Sequence, residues 1–118
     1  MKDKCLAFME DLNSKDLQRL SEWFHEDSRV WIPPALPVTG ASRIVAMFRV
    51  IFRKYQTLSW KVTEVHELGD NSCLYLSESW GYKNESPYTN QIATDIIFDR
   101  QGRINQLSDY FKDTSTFV

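Results

Sequence analysis

The sequence predicts an α+β domain in which a curved antiparallel sheet wraps three N-terminal helices, in the order α-α-β-α-β-β-β-β. Three observations predict it. Through about residue 56, apolar residues recur every three or four positions, the spacing of one helix face. Beyond residue 58 the pattern changes to the alternation of a half-buried strand. The connectors between these later runs are short and rich in turn residues, which makes consecutive runs antiparallel neighbours.

Cys5, Leu6, Phe8, Met9 and Leu12 form the apolar face of a first helix over Asp3–Leu12. Asn13 or Ser14 is placed to cap a second, with Asp16 in its first turn and Leu17, Leu20, Trp23 and Phe24 as its stripe. His25-Glu26-Asp27 ends that helix, and His25 is read as a cation at its C-terminus. Arg29–Ile32 reads as a short strand stopped by Pro33-Pro34, because proline cannot donate to a ladder. Thr39-Gly40 lead into a third helix with Ile44, Met47, Phe48, Ile51, Phe52 and Tyr55 inward. Its Arg43, Arg49, Arg53 and Lys54 form a solvated face. Four strands follow near 58–68, 72–84, 88–99 and 103–111, joined through Gly69-Asp70-Asn71, Asn84–Pro87 and Arg100–Gly102.

Composition bounds the function. At 118 residues the chain holds one domain, 1–118, large enough for a core without staples. A net charge of −2 and the absence of a basic cluster argue against nucleic acid. No apolar run approaches the roughly 20 residues that span a bilayer. Cys5 and Cys73 give neither a disulfide framework nor a zinc pattern, and no dinucleotide or phosphate-binding glycine motif occurs. The expectation is a cytoplasmic protein with no membrane partner, metal or cofactor.

Three local patterns carry a resemblance across nearly the whole chain. They are Leu12–Leu17 before Trp23–Asp27, Asp95–Phe98 before Gly102-Arg103-Ile104, and Asp109-Tyr110-Phe111 with Phe117 beyond. In this order they resemble the nuclear transport factor 2-like superfamily, including its SnoaL-like, ketosteroid isomerase and limonene epoxide hydrolase branches. The resemblance implies a cone, a cystatin-like roll whose sheet curls around the helices and leaves an apolar pocket. It also implies a homodimer through the outer sheet face.

Three carboxylates are the catalytic candidates: Asp109, Glu78 and Asp95. Glu78 shares a strand face with Leu74, Leu76, Trp80 and Tyr82, so it enters the pocket or lies on the convex surface. A carboxyl taken from water has its pKa raised, which suits acid–base work near neutrality. Asp95 sits in a strand that resembles the one supplying the oxyanion-hole acid of ketosteroid isomerase, a carboxylic acid that its apolar site keeps neutral at pH 7. That enzyme's tyrosine and base fall here at Phe8 and near Ile32, so its mechanism does not transfer. The epoxide hydrolase resemblance pairs Asp109 with Glu78 but puts Leu76 where the intervening arginine stands. The plainer role for Asp109 is to bond backbone near the last turn.

Trp31, Leu76, Trp80, Phe111 and Gln91 are the expected pocket lining, with His66 as a proton shuttle beside it. Tyr75 and Tyr88 face either the pocket or a dimer partner. The chain is thus expected to bind a small apolar molecule and act as a cofactor-free isomerase, cyclase or hydratase. The alternatives are a non-catalytic binding protein and a protein-interaction module on the same scaffold.

Overall fold

The computed structural model describes residues 1–117. Two helices, α1 (Lys2–Ser14) and α2 (Leu17–Ser21), precede β1 (Phe24–Trp31) and the short β2 (Val38–Thr39). Helix α3 (Ala41–Lys54) then runs directly into β3 (Tyr55–Glu67), β4 (Ser72–Lys83), β5 (Ser86–Phe98) and β6 (Ile104–Phe111), and a 3-10 turn covers Ser115–Phe117. The strands form one sheet in the order β2-β1-β6-β5-β4-β3. The expected α+β class holds, and the sheet is mixed: β3 to β6 make an antiparallel meander, while β1 runs parallel to β6.

Local chemistry sets the helix ends. Lys15 closes α1 in the left-handed conformation, its N–H bonded to Leu12 O. Asp16, not Asn13 or Ser14, caps α2: its Oδ1 accepts from the N–H groups of Gln18 and Arg19. Asn13 instead ties α1 to the sheet, exchanging hydrogen bonds of 2.9 and 2.8 Å with the Trp60 backbone.

Helix α2 is shorter than its apolar spacing predicts. Ile104 N–H donates to Trp23 O at 2.7 Å, and Phe24 is paired with Ile104, so the chain is already extended where a helical stripe was expected. A helix exit and a strand entry can share one three-and-four spacing, and tertiary pairing decides between them. His25 therefore caps no helix. It lies on β1, where its Nδ1 accepts from Asp27 N–H and its Nε2 sits 3.5 Å from Asp99 Oδ2.

The core lies between α1, α3 and one face of the sheet. Cys5, Phe8, Met9 and Leu12 from α1 and Ile44 and Phe48 from α3 pack on Val30, Cys73, Tyr75, Ile96, Phe98, Ile104 and Leu107. Burial along β4 and β5 alternates strictly over the middle of each strand. The inner positions are Cys73, Tyr75, Ser77 and Ser79 on β4, and Tyr88, Asn90, Ile92, Thr94, Ile96 and Phe98 on β5. Their neighbours point outward. No helix among the described residues is long and apolar enough to cross a membrane.

Candidate functional site

The sheet and helices leave a cavity of about 390 Å³ between them. Phe8, Met9 and Leu12 form its α1 wall, Met47, Phe48 and Ile51 its α3 wall, and Leu58, Trp60 and Tyr88 extend it along the sheet. Pro33 and Pro34, joined by a cis peptide bond, and Lys54 also line it. The size is that of small-molecule sites, and the wall is mostly aliphatic and aromatic.

Among the described residues, one carboxyl group lies inside this apolar wall, that of Asp109. Strand register puts Tyr75, Thr94 and Asp109 in one row across β4, β5 and β6. Thr94 Oγ1 donates to Asp109 Oδ1 at 2.6 Å. No described residue bonds Oδ2 or pairs with the charge. Removal from water raises the Asp109 pKa from 3.8 to about 7, with the Thr94 hydrogen bond opposing the rise. The group remains half-buried because it opens onto the cavity and onto a smaller hollow shared with Trp31 and Phe117.

The Tyr75 hydroxyl donates to Met9 Sδ at 3.1 Å, a weak acceptor. Burial first, then the charge of Asp109, push its pKa well up, so it stays a neutral donor. The Tyr88 pKa is also raised, mainly by burial. Both tyrosines line the cavity and neither is available to a dimer partner.

Of the residues the sequence singled out, Asp109 and Phe111 line the cavity, and Phe111 meets Phe117 edge to face at 4.9 Å between ring centres. Glu78 does not. It projects from the outer face, paired in register with Lys61 on one side and Gln91 on the other. Leu76 and Trp80 share that face and are exposed, as is Gln91. Asp95 is on the outer face as well, opposite Leu74 and Ser108. Trp31 flanks the smaller hollow, 48% exposed, outside the main cavity. His66 is exposed on β3, with Nε2 3.0 Å from Glu64 Oε1. The expected convergence of three carboxylates is therefore corrected to a single one.

The cause is one step of strand parity. On β4 the face of Leu74, Leu76, Glu78 and Trp80 could enter the pocket or lie on the convex surface, and the structure puts it on the convex one. A sheet that bounds a cavity has no need of large residues at every inner position, so Ser77 and Ser79 face in. Thr94, Ser77 and Ser79 were missed for this reason, and Tyr75 was left between the pocket and a dimer partner. The available signal was parity with Cys73, which a helix-covered face must hide. Among the described residues, no three His, Cys, Asp or Glu side chains gather as a metal site.

Comparison with known proteins agrees with this architecture. Residues 6–107 match the family model of the SnoaL-like domain. No curated protein sequence matches the chain. Among solved structures, the epoxide hydrolase/cyclase-like enzyme SalBIII, described with a role in pyran ring formation in the polyether salinomycin, superposes with a TM-score of 0.84 at 12% identity. That alignment covers 96% of this chain and 91% of that one. A SnoaL-like protein from Shewanella denitrificans OS-217 gives 0.82 at 15% identity, over 94% and 89% of the two chains. An NTF2-like protein from Anabaena variabilis ATCC 29413 gives 0.80 at 18% identity, over 95% and 86%. At such identities the likeness is one of fold.

Proposed function

The chain belongs to the SnoaL-like domain family, and from that membership and the geometry of its cavity we propose that it moves a proton on a small apolar molecule without a cofactor. Asp109 is the proton carrier. The observation that carries this reading is its carboxyl group, the one such group of the described residues inside the apolar hollow, with a pKa of about 7. At neutral pH such a group is present in both protonation states, so it takes a proton from one atom and returns it to another.

A single carboxyl favours reactions that regenerate it within one turnover, isomerisation or ring closure. In an isomerisation Asp109 removes a proton from carbon next to a carbonyl, and the electron pair moves into the enolate. The same proton then returns at a different atom. A hydrolysis that needs two cooperating carboxylates is less well supported, because Glu78 and Asp95 lie on the far side of the sheet. A second reading, a binding protein without turnover, is favoured because no ionised group among the described residues pairs with Asp109, and Tyr75 and Tyr88, which both feel its charge, are held un-ionised mainly by burial.

The outer face supports a partner of the same chain. Leu76, Ala93 and Tyr110 stand in register across β4, β5 and β6, and Trp80 and Tyr82 add exposed aromatic surface. Such a patch is what an isologous dimer covers. Two free buried thiols suit a cytoplasmic setting.

Enolisable cyclic ketones incubated with the protein in D2O test the chemistry by mass spectrometry. Wild type accelerates deuterium uptake next to the carbonyl, and Asp109→Asn does not while still binding the ketone. Ketones that bind without exchange establish the binding protein instead.

A further inference from the structure

Strand β4 presents Tyr75, Ser77 and Ser79 in succession to the cavity. Tyr75 belongs to the row that holds Asp109. At the rise of an extended chain, Ser77 and Ser79 lie about 7 and 13 Å further along the strand. Between the two ends the wall is apolar, with Ile92 opposite Ser77 and Phe111 beyond it. Both serines are buried, with 3% and 2% of their surface exposed. Ser79 Oγ makes no hydrogen bond among the described residues, although the Tyr88 hydroxyl lies near enough for Ser79 to favour the tyrosine's ionised form slightly.

A buried hydroxyl without a partner is unfavourable in the empty protein and becomes favourable when a ligand supplies the missing bond. Resting on the reading of the cavity as a ligand site, we infer that its ligand carries a second oxygen, remote from the atom that meets Asp109, and that Ser79 receives it with Ser77 beside it. The oxygen is that of a hydroxyl or a carbonyl group. A serine hydroxyl both donates and accepts, so it serves either one. The inward neighbours on β5, Tyr88, Asn90 and Ile92, carry no charge, and Asn90 is already bonded to the backbone of Asp113, so a neutral oxygen suits this place and a cationic end does not. Lys54 is the cation that lines the same cavity. The ligand class is thus a mainly apolar molecule without a cationic group and with an oxygen function at each end.

Two fluorescent naphthyl ketones test it: 2-acetylnaphthalene, and the same molecule with a hydroxyl group at position 6. Each is titrated into wild type and into Ser77→Ala/Ser79→Ala, with circular dichroism as the check on folding. Wild type binds the hydroxylated ketone about fivefold to tenfold more tightly, the effect of one added hydrogen bond. In the double variant that preference disappears, while 2-acetylnaphthalene binds as before. Equal binding of both ketones by wild type overturns the inference, as does a preference that survives the double substitution. If neither ketone binds wild type, the reading of the cavity itself fails, and the inference fails with it.

Discussion

Thr94 Oγ1 donates a 2.6 Å hydrogen bond to Asp109 Oδ1 across the in-register pair that joins β5 to β6. The bond fixes one carboxylate oxygen and leaves Oδ2 without a hydrogen-bond partner among the described residues. It also stabilises the ionised form against the desolvation that drives the pKa to about 7.

Thr94→Val keeps the shape of the side chain and removes the donor. The ionised carboxylate then loses its one bond, so the Asp109 pKa rises further, by about one. Carbon-13 NMR titration of the aspartate carboxyls reads this directly, and the acid limb of any turnover moves to higher pH with it. Thr94→Ser restores the wild-type titration. A titration in Thr94→Val that matches wild type shows that the hydroxyl does not hold the carboxylate.

The raised pKa of Asp109 has a consequence for stability. The folded state favours the protonated form, so this contribution is complete below the unfolded pKa of 3.8. It is lost as pH rises toward 7. The loss amounts to at most about 4 kcal/mol, and less to the extent that the cavity admits water. Asp109→Asn does not titrate. Its melting temperature relative to wild type therefore rises between pH 5 and pH 8, and thermal melts at the two values measure the difference. A difference independent of pH shows that the buried carboxyl is not perturbed.

The patch of Leu76, Ala93 and Tyr110 predicts association on the outer face. Wild type sediments as a dimer at micromolar concentration, and Leu76→Lys/Tyr110→Lys sediments as a monomer with an unchanged far-UV spectrum. Both positions are exposed in the single chain, at 36% and 60%, so the lysines disturb no core. A wild-type monomer in the ultracentrifuge refutes the interface.

Much of the fold was legible because it rests on local chemistry. The α3 spacing from Ile44 to Ile51, the turn residues at Gly69–Asn71 and Arg100–Gly102, and the alternation of β5 each survive in the structure. The site was legible at Asp109 and Phe111, which share inward parity with Leu107, and half-legible at Tyr75 and Tyr88, for which the pocket was one of two placements. Glu78 was misplaced because hydrophobicity assigns strand faces only when one face is packed and the other is wet. Here a hollow lies on one side and an apolar patch on the other, so Leu76 and Trp80 face out while two serines face in. The parallel pairing of β1 with β6 joins Phe24 to Ile104, residues far apart in sequence, and no local pattern encodes it.

Gly81 illustrates a constraint of the same long-range kind. A Cβ there would stand 2.8 Å from the Gln56 carbonyl oxygen and 3.0 Å from Leu58 Cα. Both contacts are backbone, so neither yields by turning a side chain. They arise where β3 bulges between Gln56 and Ser59, with Thr57 at φ 51, and swings Leu58 inward onto Tyr55 and Tyr88. Gly81→Ala forces β3 away from β4 at this point and loosens the Leu58–Tyr88 cluster that bounds the cavity. The expected loss is about 1–3 kcal/mol in urea denaturation, the range of overpacking. Because Leu58 and Tyr88 line the cavity, affinity for 2-acetylnaphthalene falls as well. An unchanged denaturation midpoint shows that β3 accommodates the methyl group and that the close approach of the two strands is not needed for the cavity wall.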